Sequence, residues 1–374
     1  MKLSPCGYGE GRIVMNGKER IMCALDRQQP DRVPVFENYI NEPVILRLVE
    51  ILLPGSLRLK VSQDRAGEER LEVMDLYCSI VKEMDLDATS TLFSTGLNQI
   101  AEGRGRDKFG TLWSVSEHGE PLPLEGPIKE PGDLDRFDMV SKLDIRDFEG
   151  VKYVIDKAGR SKAHFVTVQD PFKITWSLRG SMELLLMDYI LNPELVHGLA
   201  RIATDYDKAA IDLAAGIGAD VIFLPGDLAG EQTLLMSPKH FREFVKPYER
   251  EIVEHSHRRG LKIVKHSDGN MWPILDDIME VGFDGFHPIQ PQCMDIGEVK
   301  RHVAGTVCLL GNIDCRDLLP FGTEEEVDKS VKETIAKAAP GGGYIISSSN
   351  TIHPACKAEN YIAMVKAAHK YGRY

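Results

Sequence analysis

The chain has 374 residues, 43% of them hydrophobic, so it is long enough to bury a sizeable core. A length of this order fits two domains or one barrel with additions. The formal net charge of −12 argues against a nucleic-acid-binding face, which would need clustered lysine and arginine. Seven cysteines without a CxxC pair indicate a reducing compartment and no disulfide framework.

The N-terminal sequence carries no targeting signal that we can identify. Residues 1–17 contain charges and glycines but no apolar core, so we predict no signal peptide. The chain has no run of eighteen apolar residues, so we predict no membrane-spanning helix. We therefore expect a cytoplasmic protein that does not bind membranes.

Short apolar runs alternate with helical patterns along the chain, which predicts an α/β fold with a parallel sheet. Helices are expected at 239–258, after Ser237-Pro238, and at about 323–339, where Thr323 opens a capping box. No GxGxxG motif follows the first run, so we predict a closed (β/α)8 TIM barrel and not a doubly wound sheet. The predicted strands are 33–38, 88–94, 164–170, 221–227, 262–268, 285–290, 307–314 and 343–350.

The alternation also predicts how the chain is divided. We expect an N-terminal extension over residues 1–30 and a single barrel over residues 31–374. The alternation breaks at about 103–147, which predicts an insertion after strand 2, with a hairpin containing Trp113 over the barrel mouth. The polar segment 54–67 predicts a mobile loop.

Catalytic groups of TIM barrels come from the carboxyl ends of the strands, so polar residues there are the candidates. In a strand, residues i and i+2 share a face, and His266 and Asp268 can therefore act together. They suit either a zinc site or a general acid with its orienting carboxylate. Asp227 and Asp170 are further catalytic candidates, as a third ligand or a base. Any one of these acids would also suit a loop cap. Candidate substrate-binding residues are Glu37, Asn38, Trp176, His287, Asn312 and Asn350.

Five segments, in order along the chain, resemble the uroporphyrinogen decarboxylase superfamily. The resemblance implies a (β/α)8 barrel that is usually a homodimer. These segments are Leu235–Pro238 with Phe241–Tyr248, Lys265–Asn270, Pro288–Pro291, Leu310–Asp314 and Pro340–Tyr344.

The superfamily contains at least two chemistries, and this sequence departs from both patterns. Uroporphyrinogen decarboxylases carry an arginine-rich segment after the first strand, which binds the substrate carboxylates. Here residues 36–43 contain no arginine and two acids, which would repel those carboxylates. The chain is more similar to cobamide-dependent methyltransferases, which hold zinc with an HxC pair on strand 5 and a cysteine after strand 8. The corresponding residues here are His266, Asp268 and Asn350.

The replacement of sulfur by oxygen ligands favours an oxygen-containing substrate. The resemblance thus implies a corrinoid-linked methyltransferase or demethylase for a small methyl ether, with zinc on His266, Asp268 and Asn350, or without metal. Its partner would be a corrinoid protein that meets the segment around Trp113. One alternative is decarboxylation of a porphyrinogen or another carboxylate, for which Lys173, Arg179 and Lys265 supply cations. Another is a non-catalytic barrel that binds a small molecule.

Overall fold

The computed structural model describes residues 14–55, 68–115 and 121–374. The predicted mobile loop lies mostly outside the described residues, as do residues 1–13 of the predicted N-terminal extension. The strands are β1 (Ala88–Leu92), β2 (Leu97–Ala101), β3 (Arg104–Asp107), β4 (Leu112–Val115), β5 (Pro121–Glu125), β6 (Ala163–Thr167), β7 (Val221–Pro225), β8 (Lys262–His266), β9 (Gly285–His287), β10 (Cys308–Ile313) and β11 (Tyr344–Ser348). Within the described residues, seven of these strands form one parallel, curled sheet in the order β1-β6-β7-β8-β9-β10-β11, and four form an antiparallel sheet in the order β2-β3-β4-β5.

Helices connect the parallel strands, as the alternating sequence pattern predicts. Short 3-10 helices lie at Pro131–Arg136, Val140–Lys142, Ile145–Phe148 and Trp272–Ile274. The α-helices are α1 (Gly17–Leu25), α2 (Glu42–Leu52), α3 (Glu68–Glu83), α4 (Glu149–Ala158), α5 (Pro171–Arg179), α6 (Met182–Leu191), α7 (Pro193–Ile217), α8 (Pro238–Phe244), α9 (Lys246–Arg258), α10 (Leu275–Val281), α11 (Ile296–Val303), α12 (Leu318–Phe321), α13 (Glu324–Ala338) and α14 (Ala358–Tyr371).

The segment predicted as the first strand, 33–38, is not a regular strand. It forms a single parallel bridge, between Val35 and Ile346 of β11. On the other side, the N–H of Asp87 donates to the Val35 carbonyl at 2.9 Å. Pro34 has no N–H, and the Val35 N–H donates to the Asp87 carboxylate at 2.8 Å, so no regular ladder forms. The segment nevertheless contacts both edges of the sheet, and the fold is TIM-like.

The helix predicted over 239–258 is two helices. Ser237 accepts a hydrogen bond from the His240 N–H, as expected for the cap of α8. The helix breaks at Val245, and α9 begins at Lys246 with Pro247 in its first turn. Proline has no N–H for an interior helical bond, which accounts for the break. The capping box of Thr323 and Glu326 is confirmed at the start of α13.

Two hydrophobic clusters cover the two faces of the parallel sheet. The smaller cluster contains Phe165 of β6, Phe223 of β7 and Leu310 of β10, together with Leu25 of α1. Neighbouring strand positions, such as Val166 and Ile222, belong to the larger cluster with the surrounding helices. Side chains alternate between the two faces of a strand. The face of the sheet that carries Phe223 therefore also carries the side chain of His266, the last residue of β8.

The antiparallel sheet occupies Leu97–Glu125, within and beside the predicted insertion. The end of this sheet lies close to the backbone of helix α5. A Cβ atom on Gly126, the residue after β5, would lie only 1.9 Å from the Leu178 carbonyl oxygen. The division at residue 30 and the insertion limits of 103–147 stay predictions. Among the described residues, no helix is both long enough and apolar enough to cross a bilayer.

The buried carboxylate of Asp87 joins three parts of the chain. It accepts hydrogen bonds from Arg20 of α1 at 3.0 Å and from Arg32 at 2.8 Å, in addition to the Val35 N–H. We expect Asp87→Ala to lower the free energy of unfolding by about 3–5 kcal/mol, because it removes the buried carboxylate that Arg20 and Arg32 share and leaves them only their outer partners, Asp31 and Asp85. Urea denaturation checks this. The control is Asp156→Ala, whose side chain is 63% exposed and pairs with Lys152, and we expect it to change stability by less than about 0.5 kcal/mol. Equal effects of the two substitutions would contradict the account.

Candidate active site

Three predicted site residues meet at the carboxyl ends of β7 and β8. His266 is the last residue of β8, and its Nε2 lies 3.5 Å from Oδ1 of Asp227 and 4.0 Å from Oδ1 of Asp268. One ligand atom from each residue lies within 4.8 Å of the other two. The side chains of Asp227 and Asp268 are 44% and 29% exposed, whereas that of His266 is 6% exposed. The site is therefore open on its carboxylate side. We call these residues the carboxylate–imidazole trio.

The turn after β8 fixes the position of Asp268. Gly269 has φ of +86°, and a Cβ there would lie 2.5 Å from the Gly230 carbonyl oxygen. A side chain is therefore excluded by backbone strain and by contact with the neighbouring loop. Ser267 accepts a hydrogen bond from the Leu228 N–H at 3.0 Å, which joins the loops after β7 and β8. These two loops carry Asp227 and Asp268.

The imidazole of His266 is oriented by a second imidazole. Its Nδ1 lies 2.7 Å from Nδ1 of His287, the last residue of β9. Both rings pack against Phe223, with ring centroids 5.5 and 5.3 Å from it. Burial lowers the pKa of His287 well below its ordinary value, and the charge of His266 lowers it further. A neutral His287 can accept a hydrogen bond from Nδ1 of His266. Nε2 of His266 faces the two carboxylates, where it is a donor when it carries a proton and a metal ligand when it does not.

One carboxylate oxygen of Asp268 has a hydrogen-bond partner, and the other has none among the described residues. Asn350 donates its Nδ2 hydrogen to Oδ2 of Asp268 at 2.6 Å. Oδ1 is buried and has no hydrogen-bond partner among the described residues. Burial raises the pKa of Asp268 to about 6, and the negative charge of Asp227 raises it, against the opposing charges of His266 and Lys173. A cation beside Oδ1 would satisfy this carboxylate.

Asp227 is the more acidic of the two carboxyl groups. Burial would raise its pKa, but the hydrogen bond and charge of His266, with the charge of Lys173, hold that pKa well below its usual range. Two acids with different proton affinities therefore flank one imidazole edge. The sequence predicted Asp227 and Asp268 as separate candidates, and the fold brings them together.

The trio fits a divalent metal ion. One imidazole nitrogen and two carboxylate oxygens match a catalytic zinc site, which leaves a position for water or substrate. The buried, unpartnered Oδ1 of Asp268 supports this fit. Asn350 was predicted as a metal ligand. Its amide nitrogen donates to Asp268, a contact that can orient a ligand, and its own role as a ligand stays a prediction.

Glu37 is buried beside β11. Its carboxyl group accepts hydrogen bonds from the Ser348 hydroxyl at 2.7 Å, the Ser348 N–H at 3.2 Å and the Asn38 N–H at 3.2 Å. Burial raises the pKa of Glu37 from its ordinary value of 4.5 to about 8, against the effect of these donors. Asn38 is half-buried next to it. Both residues stay predictions as substrate-binding groups.

Three other predicted site residues are not brought into the trio. Asp170 is fully buried, caps α5 through the Phe172 N–H at 2.7 Å and pairs with Lys265. Lys265 precedes His266, so its side chain leaves the other face of β8. Asn312 donates to the Ile289 carbonyl at 2.7 Å and lines a cleft with residues of α11 and α13. Trp176, on α5, is partly buried against the larger hydrophobic cluster.

Three groups that act on the site had weak signals in the sequence. Ser348 binds Glu37, yet it stands inside a Ser-rich run that suits a loop equally well. Phe223 supports both imidazoles, and only the alternation along β7 could have placed it on that face. Lys173 was noted as a cation, but its action on Asp227 and Asp268 depends on the fold.

We expect the trio to bind zinc. Substitution of His266 or Asp268 by alanine should weaken zinc binding by more than about a hundredfold, because each substitution removes a ligand. Asn350→Ala should weaken zinc binding by about tenfold to a hundredfold. Competition with a fluorescent chelator at neutral pH measures these affinities. The control is Asp314→Asn, because Asp314 also follows a strand but binds the backbone N–H of Arg316. Unchanged affinity in both ligand variants would refute the metal site.

The raised pKa of Glu37 predicts that the free energy of unfolding depends on pH. The folded chain keeps the Glu37 proton until about pH 8, whereas an unfolded chain loses it near 4.5. The stabilising contribution of this proton is therefore complete below pH 4.5 and is lost as pH rises to 8. We expect the stability of the native chain relative to Glu37→Gln to fall over this range by up to about 4 kcal/mol. Urea titrations at several pH values test this, and parallel profiles of the two proteins would contradict it.

Comparisons with known proteins identify the family. A model described as Uroporphyrinogen decarboxylase (URO-D) matches residues 107–371. The uroporphyrinogen decarboxylase of Coxiella burnetii is 26% identical over 374 residues, which cover 94% of this chain and 95% of that protein. The enzyme of the same name from Thioalkalivibrio sulfidiphilus is 26% identical over 186 residues, 48% of this chain, and the match spans only half of that relative, 50%.

A solved structure supports the fold assignment. A methyltransferase from Methanosarcina mazei superposes with a TM-score of 0.72 at 20% sequence identity, covering 96% of this chain and 99% of that one. This likeness establishes a shared fold. The family model covers more than half of the chain and agrees with the resemblance drawn from the sequence segments. The chain belongs to the uroporphyrinogen decarboxylase family.

Proposed function

We propose that the chain is a corrinoid-linked methyltransferase that removes the methyl group of a small methyl ether. The observation that carries this proposal is the trio of one imidazole and two carboxylates, which presents oxygen ligands at the carboxyl end of the sheet. Such a hard ligand set suits an oxygen-containing substrate better than a thiol. Zinc, when bound, would act as a Lewis acid on the ether oxygen.

The residues around the trio orient its members. His287 contacts His266 through their Nδ1 atoms and orients its ring, while Asn350 holds Asp268 by one oxygen. Asp227, the more exposed acid, faces the open side of the site. The short contacts of His266 and Asp268 leave these two groups little freedom, which helps to position a reacting oxygen. Glu37 and Asn38 would contact the substrate from the β11 side.

The reaction balances without an added oxidant or reductant. The carbon–oxygen bond of the ether breaks, and its electron pair stays on oxygen. The methyl group, transferred as a cation equivalent, forms a bond to cob(I)alamin and yields methylcob(III)alamin. A proton from water completes the alcohol or phenol product.

The corrinoid would be carried by a separate protein. The sheet β2–β5 offers a surface for this partner protein, because the sheet carries exposed apolar side chains. Such a surface stands out on a chain whose formal net charge is −12. Trp113 lies in this sheet and donates its Nε1 hydrogen to Asp107 at 2.8 Å. A cytoplasmic homodimer is the assembly that we propose. The exposed residues are Leu97, Ile100, Leu122 and Leu124.

The second candidate is a decarboxylase, which the names of the curated relatives favour. A polycarboxylate substrate requires free cations in the mouth. Arg179 pairs with Asp188 at 2.6 Å, and Lys265 is buried between Asp170 and Glu249. Lys173 is then the one predicted cation that acts on the trio. This charge pattern supports methyl transfer over decarboxylation.

The test uses the purified, zinc-loaded chain with reduced cobalamin and a panel of methyl ethers. We expect methylcobalamin to form, as followed by its absorbance, and the rate to fall by more than about a hundredfold in His266→Ala and Asp268→Ala. Asp314→Asn serves as the folded control with a rate near that of the native chain.

Two outcomes would overturn the proposal. One is conversion of uroporphyrinogen to coproporphyrinogen by the same preparation, which would establish the decarboxylase. The other is binding of methyl ethers without turnover and without dependence on His266 or Asp268, which would indicate a non-catalytic barrel.

A further inference from the structure

A second pocket lies at the carboxyl end of β1, apart from the trio. It has a volume of about 420 Å³ and is bounded by helices α2, α3 and α4. Ile45 lines it from α2, Val73 and Tyr77 from α3, and Val154 from α4, while Phe93 follows β1. The carboxyl ends of parallel strands share one edge of the sheet, so this cavity and the trio open on the same side of the fold.

The lining is apolar and aromatic, with few charges. Of the described residues that bound the cavity, none is lysine, arginine or histidine, and Glu42 is the single acid. Hydroxyl groups come from Tyr77, Ser90, Thr91 and Ser94 among others. A carboxylate ligand would therefore find hydroxyl donors but no cation, and an uncharged ligand pays less desolvation. The cavity suits an apolar body with one or two polar substituents.

The volume of the cavity limits the size of the ligand that it can bind. A cavity of roughly 150 Å³ lined by apolar groups is enough to hold benzene. A cavity of 420 Å³ therefore accommodates a substituted single ring. Phe93 and Tyr77 line the cavity, and contacts between aromatic rings stabilise a bound ring beyond its buried area.

Hydrogen bonds and chain connectivity link the cavity wall with the trio. Tyr39 and Ile40 line the cavity and directly follow Glu37 and Asn38 along the chain. Glu37 accepts hydrogen bonds from the N–H and hydroxyl groups of Ser348. Two residues after Ser348, Asn350 donates to Oδ2 of Asp268 at 2.6 Å. The cavity and the trio are therefore joined through the segment after Glu37 and the end of β11.

We propose that the cavity binds the aromatic ring of the substrate, so that the methyl donor is an uncharged aryl methyl ether. This inference rests on the proposed function for the role of the methoxy group. Its ring-binding part depends only on the cavity. Experiments can therefore distinguish a failure of ring binding from a failure of methyl transfer.

The probe is 2-methoxyphenol, and its binding to the full zinc-loaded chain is measured by isothermal titration calorimetry. Val73→Trp places a large side chain into the cavity and should weaken binding by at least about tenfold. The matched control is Leu71→Trp, on the same helix, because Leu71 is 41% exposed and does not line the cavity. We expect Leu71→Trp to stay within about twofold of the native affinity. Both variants should keep the native zinc affinity.

A comparison on the native chain guards against a variant that fails to fold. The carboxylated probe 4-methoxybenzoate should bind at least about tenfold more weakly than 2-methoxyphenol, since the cavity lacks a cation. Equal or tighter binding of the carboxylate, no binding of 2-methoxyphenol, or equal losses in the two tryptophan variants would each overturn the ring site. Ring binding that persists without methyl transfer would retain the ring site and reject the proposed function.

Discussion

Two carboxylates are held beside a single imidazole edge at the mouth of the sheet, and this electrostatic constraint governs the site. Asp227 and Asp268 would repel each other if both were ionised, and one imidazole cannot satisfy all of their oxygens. Oδ1 of Asp268 is left without a partner among the described residues, and burial, together with the charge of Asp227, raises the pKa of this carboxyl group. A divalent cation resolves the conflict, whereas an additional anionic substrate would increase it.

The fold imposes this arrangement through backbone contacts away from the acids. Gly269 turns where no side chain fits, and Ser267 joins the loops after β7 and β8. Phe223 and His287 then support the ring of His266 from the inner face of the sheet. The groups that react are few, but their positions depend on several strands, as the TIM-like architecture allows.

The sequence predicts much of this fold, because seven of its apolar runs become parallel strands. It also predicts the pairing of His266 and Asp268, which follows from the two-residue period of a strand. The strand period alone does not place Asp170, which caps α5 and pairs with Lys265, and its catalytic role stays a prediction. The sequence-based prediction fails at the first strand, since the use of the Val35 N–H by Asp87 is a tertiary contact.

The most direct test of the central claim is anomalous X-ray scattering at the zinc absorption edge, from crystals of the zinc-loaded chain. We expect one strong peak among Nε2 of His266 and the carboxylate oxygens of Asp227 and Asp268. A peak at other residues, or no peak at this trio in crystals that contain zinc, would contradict it.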